Sequence, residues 1–64
     1  MNEYYSFLMC FTGTKVSRNY LLRKYTPEFI DKAIELGYIK KVSENDIGDA
    51  QYMITQLGKS VRDN

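Results

Sequence analysis

Sixty-four residues make one domain, 1–64, because a second core does not fit in that length. One cysteine and no histidine exclude an internal disulfide and a zinc-type ligand set, so neither metal nor cofactor is expected. The net charge of +1 selects no partner by itself, and a chain this short buries only about 60% of its unfolded surface, which makes oligomerisation the expected supplement to the core.

Residues 4–11 (Tyr-Tyr-Ser-Phe-Leu-Met-Cys-Phe) are apolar around the whole circumference at 100° per residue. With Leu and Met and no β-branched residue, the run leans to helix, and Thr12-Gly13-Thr14 ends it. A helix apolar on every side must be covered on more than one. Tyr4, Tyr5, Phe7, Leu8 and Phe11 are therefore the expected contact between the subunits of a homodimer; the competing reading has them capping the core of a monomer. Met9 reads as core filler, and Cys10 as an inert buried thiol.

Ser17 suits an N-cap, its hydroxyl placed to accept from an orphan amide one turn on. A second helix follows to about Tyr25, with Leu21, Leu22 and Tyr25 on one side. Asn19, Tyr20, Arg23 and Lys24 lie on the other, basic side.

The third helix has the clearest signals. Thr26 caps it, Pro27 stands where a missing N–H costs nothing, and Glu28 complements the positive helix end. Gly37 suits the left-handed position that stops it. Phe29, Ile30, Ala33, Ile34 and Leu36 form the inward arc; Glu28, Asp31, Lys32 and Glu35 remain outside.

The period then changes. Tyr38 to Ser43 and Ala50 to Ile54 are strand-like, and Asn, Asp and Gly in the loop between them supply turn conformations. Tyr52 and Ile54 share a strand face and should point at the core, with Met53 as filler. Thr55 caps a last helix to about Arg62, which Leu57 and Val61 would tuck back.

The string Tyr52-x-Ile54-Thr55-x-x-Gly58-x-x-x-Arg62 resembles that of winged helix-turn-helix regulators of the MarR and PadR kind, where a strand leads through Leu-Thr and two residues to Gly. Ala33-Ile34-Glu35-Leu36-Gly37-Tyr38-Ile39 looks like the end of a recognition helix running into a wing. The likeness covers about residues 16 to 62. It implies an α+β fold, a small winged helix-turn-helix with three helices, a β-hairpin wing and a short C-terminal helix. It also implies DNA binding in transcription regulation, with the third helix in the major groove and the wing tip near the minor groove.

Charge redirects that expectation. Residues 1–25 carry Lys15, Arg18, Arg23 and Lys24 against Glu3, whereas residues 26–49 carry six acids against Lys32, Lys40 and Lys41. Each acid brought near phosphate costs about 1 kcal/mol in water and several at an effective dielectric near 20. Glu28, Asp31 and Glu35 thus disfavour the third helix as the reader, and Glu44, Asp46 and Asp49 disfavour the wing tip. The predicted DNA contacts are Lys15, Arg18, Asn19, Tyr20, Arg23 and Lys24, with Lys40 and Lys41 at the wing base and Lys32 alone from helix three. Such contacts fix register without reading sequence.

The alternative is a protein-interaction module, an adaptor or inhibitor of the phage or mobile-element size class, docking through the apolar first helix and the acidic third-helix face. Catalysis is not expected: there is no histidine, no phosphate loop and no nucleophile beside a base. No apolar run approaches the roughly 20 residues that cross a bilayer, and no signal-peptide pattern opens the chain, so a cytoplasmic protein with no membrane partner is expected.

Overall fold

The computed structural model describes residues 3–13 and 15–63, and in it the N-terminal run winds into α1, Tyr5–Leu8. Tyr4, Phe7, Leu8 and Phe11 stand three and four residues apart, so they share one side, and all four are buried. Tyr5 and Met9 face outward. The run is therefore covered on one side only, and its regular helix shortens to a single turn. Beyond it the Cys10 and Phe11 amides donate to the Phe7 and Leu8 carbonyls three residues back. Thr14, part of the predicted stop, lies outside the described residues.

Strand β1, Val16–Ser17, has no sequence signal, since two residues carry no alternation. It leads into α2, Arg18–Leu22, where the Tyr20 N–H donates to Ser17 Oγ at 3.1 Å. Leu21 is buried, but Leu22 is exposed, which corrects its assignment to the inward side. Four residues then turn the chain into α3, Pro27–Glu35. The Phe29 N–H donates to Thr26 Oγ1 at 3.2 Å, as the capping pattern requires. Ile30 and Ala33 are buried, whereas Leu36, expected inside, is exposed at the helix end. Gly37 stops the helix at φ +83°, a conformation that a Cβ disfavours.

Strands β2, Ile39–Glu44, and β3, Ala50–Ile54, form the predicted antiparallel hairpin, and β1 pairs with β3 on its other edge to give the order β1-β3-β2. Ile39 faces Ile54 and Val16 faces Tyr52 across the ladders; all four are buried toward the helices. The opposite sheet face carries Lys40 opposite Met53 and Ser43 opposite Gln51, with a register irregularity between Lys41 and Ser43. Met53 is thus exposed rather than core filler, as is Met9.

Helix α4, Gln56–Asp63, closes the chain. Its docking rests on glycine. A Cβ on Gly58 would stand 2.1 Å from the Tyr38 carbonyl oxygen, so only glycine lets the helix lie against that backbone. The Gly58 N–H donates to Thr55 Oγ1 at 3.0 Å, and the Thr55 hydroxyl in turn donates to the Gly37 carbonyl. Val61 packs against the core, while Leu57 points outward at 52% exposure, contrary to the expected Leu57–Val61 seam. The result is a small α+β fold of four short helices and a three-stranded antiparallel sheet. No described helix is long and apolar enough to cross a membrane.

Candidate nucleic-acid interface

The N-terminus of α2 is a polar junction. Two of its amides are capped from different places: Tyr20 by Ser17, and Asn19 by Asp49 Oδ1 of the hairpin loop at 3.1 Å. From the same turn, Arg18 Nη1 donates to Asp31 Oδ1 of α3 at 3.0 Å and to Tyr52 Oη of β3 at 3.1 Å. Those two bonds, Tyr52 first, hold the Arg18 guanidinium above its ordinary pKa. Arg18 thus ties α2, α3 and the sheet together, and its donors are partly spent on that task.

The remaining predicted contacts separate into two groups. Lys24 Nζ sits over the Tyr20 ring, 5.5 Å from its centroid. Tyr20, 45% exposed, and Lys15 line one shallow groove with Cys10, Val16, Ser17 and Gln51. Arg23 follows directly at the end of α2. Among the described residues, Lys15, Arg23 and Lys24 have no carboxylate within 4.0 Å. Lys15, Tyr20 and Lys24 therefore form one basic and aromatic surface, with exposed Asn19 next to Tyr20 in the chain.

In the second group, two lysines are already paired. Lys32 pairs with Glu35 at 3.8 Å, and Lys41 pairs with Glu44 at 2.5 Å, a bond that raises the lysine pKa. Lys41 also lies on the inner-facing side of the hairpin, opposite Tyr52, while Lys40 lies on the outer face. Adjacent strand residues point to opposite faces, so Lys40 and Lys41 cannot act as one patch.

The acids are more occupied than their number implies. Asp31 is matched by Arg18, Glu35 by Lys32 and Glu44 by Lys41, and Asp49 caps α2. Glu28 and Asp46 have no cation within 4.0 Å among the described residues. Neither the Arg18–Asp31 pair nor the Asp49 cap has a local sequence signal, because their partners are 13 and 30 residues apart.

Four of the five residues expected at a subunit contact are buried within the chain, as the competing reading has them. Tyr4, Phe7, Leu8 and Phe11 are covered within one chain, by Tyr25, Phe29 and Tyr38 among others, leaving Tyr5 alone of the five at the surface. Cys10 is half-buried, its thiol 3.8 Å from the Ser6 carbonyl. No family of proteins, no curated protein and no solved structure matches this chain.

Proposed function

We propose that the chain is a small winged helix-turn-helix DNA-binding protein, acting in transcription regulation, that grips the phosphate backbone through α2 and its flanks. The observation that carries this reading is the surface of Lys15, Tyr20 and Lys24, extended by Arg23, whose cations have no carboxylate within 4.0 Å among the described residues. Three lysine or arginine heads with an exposed phenol offer phosphate contacts and a hydrogen bond or stacking face. The helix pair followed by a hairpin supports the fold reading, and the ion pairs on α3 lower the repulsion that its acids would bring to a duplex. Asn19 adds a side-chain amide to the grip, Lys40 a more distant contact across the sheet. Lys32 and Lys41 contribute little while held by their own acids.

The test is fluorescence anisotropy with mixed-sequence duplex at low salt. The chain should bind with a dissociation constant below about 100 µM. Changing Lys15 and Lys24 together to Gln should flatten the plot of log affinity against log salt by about 1.8, two phosphate contacts' worth. No binding at that concentration, or an unchanged slope, overturns the reading. The second reading is a protein-docking module; exposed Glu28 on α3 favours it, while burial of the apolar face of α1 removes half of the surface it was to use. A stoichiometric protein partner co-purifying with no nucleic acid would select it.

A further inference from the structure

Two surface features lie outside the basic patch, and each is unusual by itself. At the tip of the β2–β3 hairpin Ile47 is 82% exposed, the most exposed of the large apolar side chains among the described residues. Its loop is held rigidly. Asn45 Oδ1 accepts from the Ile47 and Asp49 amides at 3.1 and 2.8 Å, the Gly48 N–H donates to the Asn45 carbonyl at 2.9 Å, and the Asn45 N–H to the Asp49 carbonyl at 3.0 Å. An ordered tip loses little conformational freedom on docking. Asp46, beside Ile47, has no cation within 4.0 Å among the described residues.

The second feature is an open groove of about 990 Å³ between α1, β3 and α4. Its apolar lining includes Tyr5, Met9 and Met53, all exposed, and its rim carries Lys59. Lys40, opposite Met53 in the ladder, adds a second cation on that side. Neither lysine has a carboxylate within 4.0 Å among the described residues. The groove has an apolar floor and a charged rim, on which Arg62 and Asp63 pair with each other at 3.1 Å and Lys59 is left over; the tip is apolar with an acidic neighbour.

We infer that the hairpin tip of one copy seats Ile47 in the Tyr5–Met9–Met53 groove of a second copy, with Asp46 against Lys59. A standard interface takes about 800 Å² from each partner, roughly a fifth of the 4267 Å² surface of this chain, more than one loop tip supplies. A two-fold pair makes the contact twice and closes on itself, which a single head-to-tail contact does not. Methionine suits the groove floor because its unbranched, polarisable side chain adapts to an inserted isoleucine. The contact shares only Lys40 with the DNA-binding reading; Lys15 and Tyr20 line a different groove.

Sedimentation equilibrium from micromolar to millimolar protein, without nucleic acid, tests the pair. The wild-type chain should pass from monomer to dimer across that range. Ile47→Asp and Met9→Glu, both at exposed positions, should each raise the dissociation constant at least about tenfold while the circular dichroism stays unchanged. Asp46→Lys and Lys59→Glu should each weaken the dimer, and the two together should restore it. A monomer throughout the range, or a dimer indifferent to Ile47→Asp, overturns the inference. DNA binding measured at monomer concentrations should survive Ile47→Asp, which separates failure of this contact from failure of the proposed function.

Discussion

The two ends of this small molecule are held by different physics. Under α1 and α3 six aromatic rings meet: Tyr4 on Phe29 at 4.3 Å, Phe7 edge-on to Tyr25 at 5.0 Å and to Phe29 at 5.4 Å, Phe11 and Tyr38 beside them. This region gains from area and dispersion, with edge-to-face preferences adding about 0.5–1.5 kcal/mol per pair. At the N-terminus of α2 the bonds are few and directed: Ser17, Arg18, Asp31, Asp49 and Tyr52, at 3.0 to 3.1 Å. The aromatic end makes the fold stable. The polar junction fixes how α2 stands against α3 and the hairpin, and so where its basic residues point.

The largest expected effect comes from emptying the aromatic end. Phe7 is fully buried, and Phe7→Ala should cost about 3–5 kcal/mol in urea denaturation. Small domains hold roughly 0.05–0.15 kcal/mol per residue, about 3–10 kcal/mol for a chain of this length, so that loss should remove at least about a third of the stability. A change under about 1 kcal/mol would mean that the ring cluster is peripheral to the core.

Alkaline titration gives a smaller effect at the same end. Burial pushes the Tyr4 and Tyr25 hydroxyls above the ordinary 10.0, with the Glu3 charge adding at Tyr4 and Cys10 at Tyr25. The folded chain keeps these phenols neutral while the unfolded chain ionises them, so stability present below pH 10.0 falls as pH rises through the folded values. Urea midpoints should be level to about pH 9 and then drop, and Tyr25→Phe should soften the drop. A level profile to about pH 11 would contradict the burial of both rings.

The smallest effect belongs to the polar junction. Arg18 is 26% exposed in its side chain and Asp31 63%, so water screens the pair. A double-mutant cycle with Arg18→Ala and Asp31→Ala should return a coupling of about 1 kcal/mol or less, shrinking with salt. A coupling that salt leaves untouched would show the junction to be drier than its exposure indicates.

Much of this architecture could be read along the chain. Ser17, Thr26 and Thr55 each announce a cap, Pro27 opens α3, Gly37 closes it, and the change of period after Gly37 marks the hairpin; these devices act within four residues. The string from Tyr52 to Arg62 that suggested a winged helix has a structural reason at two of its positions here. Thr55 bonds the chain leaving α3, and Gly58 lets α4 touch the Tyr38 backbone. The same letters therefore speak for helix docking as strongly as for function.

Where reading failed, the cause was distance or finite length. Leu22, Leu36 and Leu57 fit an inward stripe on helices extended ideally, but they lie at or near helix ends with no element packed over them. Met9 and Met53 are apolar by type and exposed by position. The predicted basic contacts span two sheet faces, because Lys40 and Lys41 are neighbours in sequence and opposites in a strand.

Local chemistry along the chain settled the start of α2, both ends of α3, the hairpin and the inward face of Tyr52 and Ile54, since capping, φ preference and side-chain alternation depend only on near neighbours. Tertiary packing alone decided that the N-terminal aromatics are core and that Asp31 and Asp49 serve α2. Those outcomes depend on which surfaces meet across 13 to 30 residues of chain. No local preference of the residues encodes such meetings.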